Sequence, residues 1–243
     1  MQTRSLLALL AGALATASGA ASAQTYDVEP GTTHLATALT DAVSGSQMNG
    51  MLVTVRFNDG STSGGTWGFL FEVMGVQHHG VSNALFTLSM RGDQDTGGPS
   101  PSLNDLNVSN HNPSEASLVG LLLQGQPANV VFDRTAGGLE GTTGSGAGRD
   151  VVGANDPEGD EFALTVVYRN VVSLGGAPPL GDVFESLDVS LGDALPQGET
   201  ASIFLDTDLA NTLTPVPEPT LVAFVAGGLA LLGAGTRIRR RRG

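Results

Sequence analysis

The stretch MLVTVRFNDGSTSGGTWGFLFEVM, residues 51–74, decides the fold class. Apolar and polar residues alternate from Met51 to Phe57, and Asn58-Asp59-Gly60-Ser61 follows as a turn signal. Alternation on both sides of an Asp-Gly pair is typical of a β-hairpin. We therefore predict that residues 66–74 form the partner strand, with the larger side chains on one face: Trp67, Phe69, Phe71 and Val73.

The same kind of pattern recurs along the chain and predicts a mainly β fold. Short apolar or alternating runs lie at residues 85–90, 106–108, 117–123, 129–132, 162–168, 183–191 and 201–205. Many short strands at regular spacing favour a single antiparallel β-sandwich or jelly-roll-like domain, which we place at residues 24–214. One helix is expected at residues 32–43, where apolar residues recur at helical spacing.

The N-terminal residues 1–23 have the pattern of a secretory signal peptide. Arg4 precedes a short apolar run at residues 6–14, and a stretch of small residues ends at Ala21-Ser22-Ala23. This order matches the n-region, h-region and A-x-A cleavage site of such peptides, so we expect signal peptidase to cleave after Ala23. The alternative is a buried N-terminal helix, for which the run is short and poor in large side chains.

The C-terminal residues 215–243 combine a proline motif, an apolar run and a basic cluster. Val216-Pro217-Glu218-Pro219 precedes the run LVAFVAGGLALLGAG at residues 221–235. A hydrophobic helix over residues 220–236 would be roughly 25 Å long, slightly short of a hydrocarbon core of about 30 Å. The arginines that follow would stay on the cytoplasmic side of a membrane: Arg237, Arg239, Arg240, Arg241 and Arg242.

This three-part tail resembles the PEP-CTERM sorting signal, over about residues 216–243. The resemblance implies recognition and cleavage near Pro217-Glu218-Pro219 by an exosortase, in a Gram-negative bacterium that makes extracellular polysaccharide. A plain single-span anchor is the alternative. Residues 53–67, 86–93, 131–133, 144–148 and 206–208 also resemble, more weakly, the β-rich cargo of such proteins, which implies no particular reaction.

The charge between the two ends is strongly acidic. Five arginines stand against 23 acids there, since Arg4, the tail arginines and Glu218 lie outside, and the chain has neither lysine nor cysteine. Such a surface disfavours binding to nucleic acid. It serves solubility or attracts divalent cations, and both interpretations stay open.

Catalytic motifs are absent from the sequence, and we expect no enzymatic activity. The histidines lack zinc-site spacing, and residues 141–148 lack the lysine of a phosphate-binding loop. His78 and His79 are expected to point to opposite sides of an extended chain. A cluster of carboxylates gives a candidate calcium site at Asp156, Glu158 and Asp160, with simple solvation of the loop as the alternative. The pairs Asp93/Asp95 and Asp206/Asp208 could join such a site.

The sequence thus predicts an exported protein of the cell surface or extracellular matrix, held transiently in the inner membrane by its C-terminal helix. Its expected partners are signal peptidase, an exosortase and exopolysaccharide. The alternative is a calcium-dependent, lectin-like sandwich that binds carbohydrate. Few aromatic residues are available for that role, and Trp67 suits a core position better than a sugar platform.

Overall fold

The computed structural model describes residues 24–29, 31–41, 43–96, 106–134, 142–143, 148–155 and 163–216. These residues form β-strands and one 3₁₀ turn at Gln126–Ala128, with no α-helix among them. The mainly β prediction is therefore confirmed. The strands are β1 (Thr25–Glu29), β2 (His34–Ala36), β3 (Leu39–Thr40), β4 (Leu52–Phe57), β5 (Thr62–Thr66), β6 (Gly68–Val73), β7 (Val76–Ser82), β8 (Phe86–Arg91), β9 (Leu106–Asn110), β10 (Leu118–Gln124), β11 (Val130–Asp133), β12 (Val152–Asn155), β13 (Leu164–Leu174), β14 (Val183–Leu195), β15 (Thr200–Phe204), β16 (Asp206–Ala210) and β17 (Thr214–Pro215).

The strands form two sheets of unequal size. The larger sheet has 11 strands along the order β17-β2-β13-β14-β10-β4-β5, with β1 on β13 and with β11, β16 and β3 joined through β14. The smaller sheet has six strands in the order β12-β15-β9-β8-β7-β6. The pairing is antiparallel throughout the smaller sheet. In the larger sheet β1 and β2 both pair in parallel with β13, which the sequence did not predict.

One hydrophobic core lies between the two sheets, so the fold is β-sandwich-like. Inward-facing residues of β4, β10, β13 and β14 meet those of β7, β8, β9 and β15, because alternate residues of a strand share one face. The side chains of Trp67, Tyr168, Phe86, Phe132 and Phe184 are the largest in this core. A smaller apolar cluster packs where β2, β3, β11 and β16 meet the ends of β13 and β14.

The hairpin predicted at residues 51–74 is present, but its second strand is different. β4 turns at Asn58–Ser61, where Gly60 has a φ of 84°, and pairs with β5 rather than with residues 66–74. β5 contains Gly64 and Gly65, and a Cβ on Gly64 would lie 2.5 Å from the Val53 carbonyl oxygen. Glycine is thus required for this close pairing, although it usually weakens a strand signal in a sequence.

After β5 the chain leaves the larger sheet at Trp67 and enters the smaller one as β6. Trp67 is buried, and its indole Nε1 donates a 2.8 Å hydrogen bond to the Gly45 carbonyl oxygen. The predicted common face of Trp67, Phe69, Phe71 and Val73 is wrong. Phe69, Phe71 and Val73 are exposed by 57%, 45% and 50%. β6 is the edge strand of its sheet, and a register shift between Phe69 and Phe71 breaks the alternation of its side chains.

The helix predicted at residues 32–43 is also absent. β2 and β3 occupy this segment, and their backbone groups pair with β13, β16 and β17. Pairing with distant strands satisfies the backbone here and overrides a local helical spacing of apolar residues.

Three sequence-predicted segments lie outside the described residues: the signal peptide at 1–23, the hydrophobic helix at 220–236 and the basic cluster from Arg237. Within the part of the chain that the structure describes, no helix is long and apolar enough to cross a membrane.

Candidate functional site

Most of the site residues predicted from the sequence lie outside the described ranges. Pro217, Glu218 and Pro219 of the sorting motif do so, as do the cleavage-site residues Ala21 and Ala23. The candidate calcium ligands Asp156, Glu158 and Asp160 and the basic cluster are likewise outside: Arg237, Arg239, Arg240, Arg241 and Arg242.

Val216 is the one member of the sorting motif that the structure describes. It directly follows β17, which pairs with β2 at the edge of the larger sheet. Its backbone N–H donates a 2.8 Å hydrogen bond to the Thr33 carbonyl oxygen, and its side chain is 40% exposed. The predicted sorting motif therefore begins directly after β17, the last strand that the structure describes.

The two predicted carboxylate pairs, Asp93/Asp95 and Asp206/Asp208, lie in different environments. Asp93 is exposed and binds Arg91, while the backbone of Asp95 forms an isolated bridge with Ser44. Asp206 and Asp208 are buried in β16, which pairs with β11 and β3. Among the described residues, no group of three His, Cys, Asp or Glu side chains is arranged to hold a metal ion.

Asp206 lies in an environment that favours its protonated form. Burial, and next the negative charge of Asp41, raise the pKa of the Asp206 carboxyl to about 7. The Thr207 backbone and Arg149 act in the opposite direction but are weaker. Protonation of Asp206 therefore lowers the desolvation free energy of burying this side chain.

The adjacent histidines of β7 point to opposite sides of the smaller sheet. His79 is buried with its Nδ1 2.9 Å from Asn49 Oδ1, and burial lowers its pKa below the usual value. His78 lies on the outer side, where its ring stacks on Phe71 at a centroid distance of 4.7 Å and an interplanar angle of 18°. A register shift between Phe69 and Phe71 places Phe69 on the other side, edge-on to His79.

The outer side of the smaller sheet carries a regular array of hydroxyl and amide groups. Cross-strand pairing aligns Ser82, Thr87, Ser109 and Thr200 in one row and Ser89, Asn107 and Ser202 in the next. Neighbouring side chains are linked by hydrogen bonds of 2.9 Å (Ser82–Thr87), 2.8 Å (Ser109–Thr200) and 2.9 Å (Ser202–Asn107). We call these seven residues the hydroxyl face.

The hydroxyl face is almost free of charge in a strongly acidic protein. The six strands of its sheet contain one acid, Glu72, and one arginine, Arg91. Glu72 pairs with Gln77, whose side chain lies on the inner side with His79. Arg91 lies beside His78 and is neutralised by a bidentate pair with Asp93, at 3.2 and 3.0 Å.

The outer side of the larger sheet is different, because ion pairs run across it. Arg56 binds Asp188 at 2.6 Å, Asp188 lies 3.6 Å from Arg169, and Arg169 binds Glu29. The two outer sides thus differ in chemistry: one is ionic and the other is neutral and rich in hydroxyl groups.

A shallow groove of about 230 Å³ opens at the turn between β6 and β7. It is lined by Ser46, Gly75, Val76, Gln77, Gly92 and Asp93. Val73 and the fully exposed Met74 lie at the same turn. The groove and the Phe71–His78 stack therefore lie towards the same end of β7.

Sequence reasoning missed the hydroxyl face because its residues come from separate strands. A signal was present in the runs FTLSM (86–90), LNVSN (106–110) and TASIF (200–204), whose outward positions are mostly Ser, Thr or Asn. The inward positions of these runs indicate a core, whereas the outward ones form a common surface only when strand pairing aligns them.

Comparisons with known proteins do not assign this chain to a group. No protein family model matches it, and neither the curated proteins nor the solved structures give a significant match.

Proposed function

We propose that this chain is an exported, non-enzymatic protein of the bacterial surface or extracellular matrix, sorted through a PEP-CTERM-like tail at residues 215–243. The observation that carries the proposal is the position of β17. This strand ends at Pro215, and Val216 makes the last backbone hydrogen bond before Pro217. An exosortase cutting near Pro217-Glu218-Pro219 would act directly after this last described strand.

The N-terminal end of the fold supports the same proposal. β1 begins at Thr25, two residues after the cleavage expected behind Ala23. Removal of residues 1–23 would leave β1 complete on the edge of β13. Both processing positions therefore flank the cargo, residues 24–214, which we propose to be one jelly-roll-like domain.

The order of delivery follows from the charges at the two ends. The signal peptide directs export, and the apolar run at 221–235 holds the chain in the inner membrane with its arginines on the cytoplasmic side. Cleavage of the tail releases an acidic cargo to the cell surface or the matrix, where exopolysaccharide is its proposed partner. The acidic charge disfavours nucleic acid.

Intact mass of the protein in each fraction of its native host tests this proposal. A mature species that begins near Gln24 and ends near Val216, found outside the inner membrane, is the expected result. Replacing Pro217-Glu218-Pro219 by alanines should retain the tail, whereas replacing the loop prolines Pro178 and Pro179 by alanine should not. Retention of Arg237–Gly243 in all wild-type fractions would identify a plain anchored protein instead.

A second candidate function, calcium-dependent binding of carbohydrate, gains support from one observation. Phe71 is exposed rather than packed in the core, so an aromatic side chain is available to a sugar ring. Calcium would be held by Asp156, Glu158 and Asp160, whose carboxylates are the oxygen ligands that this ion prefers.

Thermal unfolding with calcium and with a chelator tests the role of the metal. Calcium should raise the Tm of the wild type and should have no effect on the triple variant Asp156→Asn, Glu158→Gln, Asp160→Asn. Asp193→Asn combined with Glu199→Gln removes two exposed acids elsewhere and should leave the response intact. A wild-type Tm that ignores calcium would eliminate the metal from this function.

A further inference from the structure

We propose that the hydroxyl face and the Phe71–His78 stack together bind a neutral polysaccharide chain. This inference deepens the proposed association with exopolysaccharide by naming the binding surface and the class of glycan. It does not depend on calcium, because the residues involved lie on β6, β7, β8, β9 and β15 and not in the loop of Asp156.

The hydrogen-bonding groups of the face match those of a sugar. A hydroxyl offers one donor and two acceptor positions, and a carbohydrate hydroxyl offers the same. The pairs Ser82–Thr87 and Ser109–Thr200 each use one bond between their own side chains, so further positions remain for a ligand. The row from Ser82 to Thr200 crosses four strands and is about 14 Å long at the usual strand spacing.

The low charge of the six described strands of this sheet favours a neutral glycan over an acidic one. An anionic polysaccharide would need unpaired cations, but Arg91 is the one arginine of this sheet's strands and Asp93 already neutralises it. Repulsion from the acids elsewhere on the protein would further disfavour a polyanion. A neutral glycan needs no unpaired cation and is not repelled by the acids of the protein. It also loses less hydration free energy on binding than a charged glycan does.

The aromatic element lies at one edge of the array, where a glycan would stack. Phe71 is 45% exposed and is fixed in orientation by the parallel stack on His78. A rigid aromatic side chain beside polar groups gives contact area at a low cost in conformational entropy. A protein partner would be expected to need a larger apolar centre than the single exposed ring and the rows of Ser and Thr provide.

The test measures binding of the full-length chain, purified in detergent, to an array of neutral and acidic oligosaccharides and to dextran, galactomannan and alginate. We expect a Kd below about 1 mM for at least one neutral glycan, and no tighter binding to any acidic one. Phe71→Ala and Ser109→Glu should each weaken that binding by about tenfold or more.

Two matched variants serve as controls. Phe69→Ala removes an exposed ring from the same strand but from the inner side, and Thr165→Glu adds an acid to the outer side of the larger sheet. Both variants should bind the neutral glycan with a Kd within about twofold of the wild-type value. Near-UV circular dichroism of all four variants establishes that each is folded.

Three results would overturn the inference: no neutral glycan bound at millimolar concentration, a preference for acidic glycans, or equal losses in Phe69→Ala and Phe71→Ala. These outcomes are separable from failure of the sorting proposal. Glycan binding by a protein that keeps its tail would contradict sorting alone, and a correctly processed protein without glycan binding would contradict this inference alone.

Discussion

Arg56 on β4 binds Asp188 on β14 although β10 lies between these two strands. The Arg56 Nη2 atom is 2.6 Å from Asp188 Oδ1. The Arg56 side chain crosses over Gly120 of β10 to reach it. A Cβ added to Gly120 would lie 2.4 Å from this nitrogen and 2.7 Å from the Val189 carbonyl oxygen. Glycine at this position therefore makes the cross-strand ion pair sterically possible.

Gly120→Ala should lower the free energy of unfolding by about 1–3 kcal/mol, because both the guanidinium and a backbone oxygen must move. Urea denaturation measures the loss. Gly68→Ala is the matched control, since Gly68 lies in a strand and a Cβ there would meet no atom within 4 Å. If both substitutions have the same effect, crowding by Arg56 is not the cause.

Removing Arg56 and Asp188 singly and together should reveal a coupling energy of about 1 kcal/mol, since both side chains are partly shielded from water. Arg56→Met, Asp188→Asn and the double variant form the cycle, and high salt should reduce the coupling. The exposed pair Arg91–Asp93 should give a smaller value. A coupling of zero for Arg56 and Asp188 would mean that the pair adds no stability.

Trp67→Phe should destabilise the protein by about 2–4 kcal/mol. The substitution leaves a cavity at a fully buried position and deprives the Gly45 carbonyl oxygen of its donor. Thermal or urea unfolding measures the change, and Phe69→Leu at an exposed position should cost much less. Trp67 is also the only tryptophan, so wild-type fluorescence should be blue-shifted and protected from quenchers.

Asp206→Asn should stabilise the protein above neutral pH. The pKa of Asp206 is about 7 in the fold against an ordinary value of 3.8, so the folded state holds an extra proton between about pH 4 and pH 7. The stability that this proton provides is complete below about pH 4 and is lost as the pH rises through about 7. The variant should lose this dependence and gain at most about 4 kcal/mol at pH 8.

Asp59→Asn is the control for that experiment. Hydrogen bonds from the Ser61 side chain and backbone lower the Asp59 pKa, so its contribution is present above about pH 4 and is lost in acid. This substitution should give no gain at pH 8. Equal pH profiles for Asp206→Asn and the wild type would show that Asp206 titrates normally.

Strand content was predictable where inward residues alternate with polar ones, as in β4, β8 and β15. β7 was missed because its sequence VQHHGVS is mostly polar, and its place in the sheet depends on pairing with β6 and β8. β1 and β2 were missed because each is short and gains its partners only from strands far along the chain, β13 for both and also β17 for β2. Local patterns carry no information on such pairs.

The candidate sites also differ in how far the sequence predicts them, depending on whether their residues are contiguous in the chain. The predicted sorting motif is contiguous, so the sequence alone is enough to propose Val216, Pro217, Glu218 and Pro219. The hydroxyl face could not, since Ser109 and Thr200 are 91 residues apart and meet only through the pairing of β9 with β15. The outward position of Phe71 likewise depends on the register shift between Phe69 and Phe71, which no periodicity reveals.

The two parallel pairings to β13 also constrain how the chain folds. Glu29 of β1 and its partner Arg169 are 140 residues apart. β2 can pair only after both β13 and β17 have been synthesised. Closing loops of this length is slow, so β1 and β2 must remain as unpaired edges until the C-terminal third of the cargo is available. The domain therefore cannot assemble progressively from its N-terminus during synthesis or translocation, and any chain that ends before β13 carries exposed strands prone to aggregation.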